Sequence, residues 1–166
     1  MRVSLFIDGA NFFYMQRDRL GWWADPKKIL DFVSTKGDIV DAFYYIGVEA
    51  PPDAIQESYL RALTNMGYVI VNKTLKQILQ NDGSVKQKAN LDIEIVLDMF
   101  NTIGNYDMAV LVSGDGDFER PLELLRARGK RFLVLSTQGV IAHELRTVAG
   151  MHYIDFREIR DQVKKD

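Results

Sequence analysis

Two short apolar runs, far apart in the chain, each stop abruptly at aspartate and glycine, and no other feature constrains the fold as tightly. Val3–Asn11 reads Val-Ser-Leu-Phe-Ile-Asp-Gly-Ala-Asn, and Val110–Phe118 reads Val-Leu-Val-Ser-Gly-Asp-Gly-Asp-Phe. A brief apolar run bounded by turn residues is the pattern of a strand buried on both faces, as in a parallel sheet. Each run leads into a helix-like pattern. Asp8, Asp115 and Asp117 are therefore expected at the carboxyl ends of strands, where open α/β sheets bind their ligands.

Between and beyond these runs, strand patterns alternate with helical ones. Val3–Ile7 reads as a strand and Ala10–Leu20 as a helix. Asp25 and Pro26 open a second helix carrying Ile29, Leu30 and Val33, with Gly37 as its stop. Ile39–Val48 is the next strand; a helix then runs from Ile55 through Leu63 to Met66 and Gly67, followed by a short strand over Tyr68–Val71. Asn72–Lys88 differs in kind. It alternates, contains Asn81-Asp82-Gly83 and carries Lys73, Lys76, Lys86 and Lys88, which predicts a hairpin or mobile loop at about 72–90. Leu91–Ile103 is a helix with Ile93, Val96, Leu97 and Phe100 as its apolar face. Met108–Val112 and Arg131–Leu135 are strands separated by a helix over Asp117–Arg128; Ala142–Ala149 is a short helix and Tyr153–Phe156 a last strand before a polar helix. The pattern predicts one domain over residues 1–166, a three-layer α/β/α sandwich with a mostly parallel central sheet.

Composition narrows the chemistry. The chain has no cysteine, which excludes disulfides, thiolate metal sites and cysteine nucleophiles. Its two histidines, His143 and His152, are too far apart for a helical His-x-x-x-His pair, so any metal is expected on oxygen ligands, as Mg²⁺ or Mn²⁺. A net charge of −2 does not advertise nucleic-acid binding, although a basic patch beside an acidic cleft is masked in such a sum. No apolar run approaches membrane-spanning length and the amino terminus lacks a signal-peptide plan, so a cytoplasmic protein without membrane association is expected.

If the two Asp-Gly strands are neighbours, their carboxylates converge. Two unit charges about 5 Å apart repel by roughly 3 kcal/mol at an effective dielectric near 20, so such a cluster calls for a cation or a shared proton. Taken singly, each aspartate is also an ordinary helix N-cap or turn former. Asp92, in the first turn of the Leu91–Ile103 helix, lies at the edge of the apolar face and can look towards the strand ends; it equally complements the helix dipole. Asp98, six residues on, is rotated well away and ranks second.

Phe6-Ile7-Asp8-Gly9-Ala10-Asn11, Lys88-Ala89-Asn90-Leu91-Asp92 with Leu97-Asp98-Met99, and Ser113-Gly114-Asp115-Gly116-Asp117-Phe118 together resemble the NYN domain, the LabA-like branch of the PIN-like nuclease superfamily. The resemblance spans nearly the whole chain in the right order. Ala89 is a departure, standing where members often carry glycine. What the resemblance implies is a PIN-like fold and metal-dependent cleavage of RNA. Asp8, Asp92, Asp115 and Asp117 match the acidic set, Asn11 the motif asparagine and Ser113 the motif serine. It also implies products with a 5′-phosphate and a 3′-hydroxyl.

The expected activity is therefore Mg²⁺- or Mn²⁺-assisted hydrolysis of RNA phosphodiester bonds, with single-stranded RNA as partner. Asn11 is expected to hold a substrate oxygen or a water, and Ser113 to orient an aspartate or satisfy turn backbone. Lys88, Asn90, Lys73 and Lys86 are the expected substrate contacts, with Lys76 extending the rim; a solvated hairpin face is the plainer reading of these lysines. Arg126–Arg131 is the densest basic run, and Trp22-Trp23 offers rings for stacking on bases or for packing. The rival function is a catalytically weak RNA-binding or protein-interaction regulatory module on the same fold. A small-molecule phosphohydrolase is disfavoured because Asp8-Gly9-Ala10 lacks a second carboxylate, and no Gly-x-Gly-x-x-Gly supports a dinucleotide site. The sequence does not identify protein partners, and a homo-oligomer stays open.

Overall fold

The structure, a computed structural model, describes all of residues 1–166. The strands are β1 (Arg2–Asp8), β2 (Asp38–Val48), β3 (Val69–Thr74), β4 (Lys76–Leu79), β5 (Val85–Lys88), β6 (Met108–Val112), β7 (Arg131–Ser136) and β8 (Tyr153–Asp155). The α-helices are α1 (Gly9–Met15), α2 (Pro26–Ser34), α3 (Ala54–Met66), α4 (Asp92–Asn101), α5 (Glu119–Ala127), α6 (His143–Ala149) and α7 (Arg160–Val163). Six strands form one sheet in the order β3-β2-β1-β6-β7-β8, with every neighbouring pair parallel.

The two central strands are apolar throughout because both faces are covered. Val3, Leu5 and Ile7 of β1, with Val110 and Val112 of β6, point into one core against α1, α2 and the C-terminal Phe156, Ile159 and Val163. Phe6, Ala109 and Leu111 point the other way, against Ile95 and Met99 of α4, Leu122 and Leu125 of α5 and Leu145 of α6. The period of two along each strand builds both cores at once. From β1 the chain winds outward through β2 to β3; from β6 it winds the opposite way through β7 to β8. The winding reverses between β1 and β6, the point at whose carboxyl ends sheets of this kind bind ligands.

Several boundaries differ from the expectation. The first helix is α-helical only to Met15; Gln16–Leu20 forms a π-turn that ends at Gly21 in the left-handed region (φ 73°). Buried Gln16 accepts from Ala24 N (2.8 Å) and donates to Phe12 O (3.2 Å), which accounts for the wider turn. Asn72–Thr74 belongs to the main sheet, so the hairpin is β4–β5 alone, closed over Gln80–Ser84 with Gln80 N on Ser84 O (2.7 Å). Gly116–Phe118 is a 3-10 turn ahead of α5.

The face of α4 requires a correction. Val96 and Phe100 pack against the second core beside the buried Leu91, Ile95 and Met99, while Ile93 and Leu97 are 70% and 61% exposed. Turning the helix to bury the latter pair would swing Asp92 away from the strand ends, since residues one apart lie about 100° around the axis.

Candidate metal and nucleic-acid site

Each aspartate is placed by its own backbone. Asp8 ends β1 and caps α1, accepting from Asn11 N (3.4 Å) at one carboxylate oxygen. Its other oxygen accepts from the Ser113 hydroxyl (2.9 Å), and that hydroxyl oxygen accepts from Asp115 N (3.1 Å). Asn11 Oδ1 accepts from Gly114 N (2.8 Å), which ties α1 to the loop after β6. Asp115 folds that loop into a turn by accepting from Asp117 N (2.9 Å). On the far side, Asn90 Oδ1 accepts from Asp92 N (2.9 Å) and starts α4 where Asp92 meets the loop.

The result is a convergence of charge. Carboxylate oxygens of Asp92, Asp115 and Asp117 lie within 4.8 Å of one another. Asp8 stands outside that trio, buried, with its oxygens engaged as above, yet close enough for its charge to act on Asp115 and Asp92. Burial pushes the Asp8 carboxyl up to about 6, against the opposing pull of the Ser113 hydroxyl and Asn11 N–H. Asp92 is pushed up to about 7, first by desolvation and then by the adjoining Asp115 and the charges of Asp8 and Asp117. No lysine or arginine forms an ion pair with Asp8, Asp92, Asp115 or Asp117. An all-oxygen donor set of this charge fits a hard divalent cation and offers nothing to a thiophilic one.

The loop can approach so closely because of two glycines. A Cβ at Gly114 would fall 2.7 Å from the Val140 carbonyl oxygen, and one at Gly116 would collide with the Glu144 carboxylate. Glu144 is thus a further acidic neighbour of the centre. Its one pointer in the sequence is its place after the strand end at Ser136-Thr137, which lets it border the cleft without giving it a role; the packing of α6 on the Gly114–Asp117 loop brings it to the centre.

The remaining candidates sort by their partners. Asp98 is not in the centre; it accepts from the Tyr45 hydroxyl (2.9 Å) on the second core. Asn90 spends its side-chain oxygen on Asp92 N and its carbonyl on Lys73 Nζ (3.3 Å), and Lys73 also pairs with Glu94, so both residues root the hairpin. Ala89 packs against Gly47 at that root, its methyl occupying space a side chain at 47 would need. Lys76 and Lys88 are directly opposed in the hairpin ladder, Lys86 shares their face opposite Ile78, and every residue of both strands is exposed. In the basic run, Arg126 donates to Val148 O (2.8 Å) and Lys130 to Tyr106 O (2.8 Å), so these two tie elements together. Trp22 packs against the core, whereas Trp23 is 46% exposed and lies 5.4 Å from the Phe13 ring.

The NYN domain family model matches residues 2–159. The chain is an NYN-domain protein. Among its relatives is the low amplitude and bright protein LabA of Synechococcus elongatus, 45% identical over 168 residues, an alignment covering 99% of this chain and 88% of LabA. A crystal structure of a Vibrio parahaemolyticus protein of unknown function superposes with a TM-score of 0.78 at 24% identity, covering 99% of this chain and 96% of that one, which shows a shared fold. NYN domains belong to a nuclease superfamily whose members generally depend on divalent metal, and this NYN domain carries the acidic group such chemistry needs. No helix is long and apolar enough to cross a membrane.

Proposed function

We propose that this NYN domain is a cytoplasmic ribonuclease dependent on Mg²⁺ or Mn²⁺, acting on single-stranded RNA. The observation that carries the reading is the gathering of Asp92, Asp115 and Asp117 within 4.8 Å at the point where the sheet's winding reverses. These three, with Asp8 behind them, would hold the metal. When bound, the ion supplies Lewis-acid activation of the attacking water and neutralises charge on the phosphodiester.

The chain's own residues do the rest. Ser113 fixes Asp8 and the Asp115 backbone together, so the donor set is preorganised. The Asn11 amide nitrogen has no partner within the protein and is free to donate to a phosphate oxygen, while Asn11 Oδ1 is held by Gly114 N. Lys76, Lys86 and Lys88 form no ion pair, and their mutual repulsion across the ladder is relieved by a polyanion. Water attack would leave a 5′-phosphate and a 3′-hydroxyl.

The second reading, a catalytically weak regulatory module that binds RNA or protein, is favoured by the exposed hairpin and by the relative's name, which describes amplitude rather than a reaction. A cleavage assay separates the two. Purified protein is expected to cut single-stranded RNA with Mg²⁺ or Mn²⁺, and Asp115→Asn to lower the rate at least about 100-fold without changing the melting transition. Cleavage that survives this substitution or EDTA defeats the nuclease reading, and salt-sensitive binding without cleavage supports the module.

A further inference from the structure

The hairpin follows β3 at one edge of the sheet. Beyond the carboxyl ends of β7 and β8, towards the other edge, lies a cleft of about 570 Å³ that the acidic centre does not use. The two are neighbours separated by one segment, Val140–Glu144. The Val140 carbonyl, Ala142 N (2.8 Å to Gly114 O) and the Glu144 carboxylate face the Gly114–Gly116 loop, while Ile141 and His143 between them line the cleft.

Arg146, Arg157, Asp155 and Glu158 are the charged side chains that line the cleft, with His143 beside them; Glu158 is exposed and forms no ion pair. Asp155 is spent inside the wall: it accepts from Thr137 Oγ1 (2.8 Å), Gln138 N (3.0 Å) and both the backbone and guanidinium of Arg157. Arg146 forms no ion pair. Its guanidinium lies 4.7 Å over the Tyr153 ring and one nitrogen donates to Gly150 O (2.8 Å), leaving its other donors unassigned. Arg19, also without an ion pair but outside the cleft lining, lays its guanidinium against Gly139, 3.0 Å from where a Cβ would stand, and Gly139 has a φ of 89°. An oriented guanidinium fork suits a phosphate, and an arginine–tyrosine layer suits a base.

We infer that this cleft is a nucleotide subsite of the same RNA track, Arg146 holding the phosphate of a residue that flanks the cut on the side away from the hairpin. The inference rests on the reading of the chain as an RNA-handling protein and does not require turnover. From β6 to β8 is two strand spacings, about 10 Å, which is roughly three nucleotides of stacked chain.

The test measures binding to the Asp115→Asn protein, so that no RNA is cut, using fluorescein-labelled single-stranded decauridylate. Adding Arg146→Glu is expected to weaken binding at least about tenfold and to lower the slope of log affinity against log salt by about one. Arg146→Lys is expected to recover part of the affinity but not all, since the fork is lost. Amide resonances of Gly139 and Tyr153 are expected to shift on adding the decamer, a readout that needs no variant at Arg146. Decamer affinity indifferent to Arg146→Glu, or unmoved Gly139 and Tyr153 resonances, overturns the subsite even if wild type cleaves RNA. Tighter binding of AMP than of the decamer to the cleft also overturns it, in favour of a site for free nucleotide. An Arg146-dependent decamer complex in a protein that cleaves nothing sustains the subsite while the nuclease reading falls.

Discussion

Asp8 and Asp155 occupy equivalent places and have opposite fates. Each ends a strand of the parallel sheet, and each is buried, at 8% and 6% exposure. Asp155 is enclosed by donors: Thr137, Gln138, Tyr153 and a guanidinium fork from Arg157, which hold its carboxyl well below the usual carboxylate range despite burial. Asp8 receives only one hydroxyl and one long N–H, and burial, with a lesser push from the charge of Asp115, raises it to about 6. A buried carboxylate supplied with its own cation is architecture. One left short of positive charge beside three others would, on the proposed function, take a cation from solution.

Removing each charge gives the largest contrast. Asp155→Asn turns an amide NH2 towards donors that now face both carboxylate oxygens, and is expected to destabilise the protein by about 2 to 3 kcal/mol, read by urea unfolding. An unchanged midpoint would place Asp155 with Asp8 rather than against it.

A pH series on metal-free protein comes next. Asp8 and Asp92 have folded values, about 6 and about 7, raised above the unfolded value of 3.8. Their stabilising contribution is therefore complete below about 4 and is lost as pH rises through about 6 to 7. The rise at Asp8 alone corresponds to about 3 kcal/mol. Asp155 and the exposed Asp107, the latter lowered to about 2 beside Arg2, act oppositely and lose their contribution only as pH falls below about 4. Metal-free stability is thus expected to peak near about pH 4 to 5 and decline towards 7; a flat profile over that upper range contradicts the shifts.

Asp8→Asn is a smaller probe with the reverse sign to Asp155→Asn. At about pH 8 without metal it relieves repulsion and is expected to be neutral or stabilising by about 1 to 2 kcal/mol in the same unfolding measurement. A loss as large as that of Asp155→Asn would make the two aspartates equivalent. Smallest is the effect of the hairpin. Replacing Lys76, Lys86 and Lys88 together by Gln is expected to leave the melting temperature unchanged and to reduce the salt slope of RNA binding by about two to three. An unaltered slope would leave these lysines as a solvated surface.

How far the residues announce this arrangement depends on how local the cause is. The aspartates that end β1 and follow β6 are legible because an apolar run halted by Asp-Gly can be little else, and Asn81-Asp82-Gly83 marks the hairpin for the same reason. The inward face of α4 is not legible. Ile93 and Leu97 are as apolar as Ile95 and Met99, so the 3.6-residue period fits more than one rotation, and only the sheet beneath decides. Glu144 at Gly116, and Arg146 over Tyr153, arise where distant segments pack, and neither has a spacing that precedes the fold.

Calorimetric titration of Mn²⁺ into metal-free protein at about pH 7.5 bears most directly on why Asp92, Asp115 and Asp117 are gathered with Asp8 behind them. We expect saturable binding of at least one ion per chain in wild type and its loss in Asp115→Asn, with both proteins equally folded before the titration. Identical heats from the two proteins, or none from either, would contradict the account.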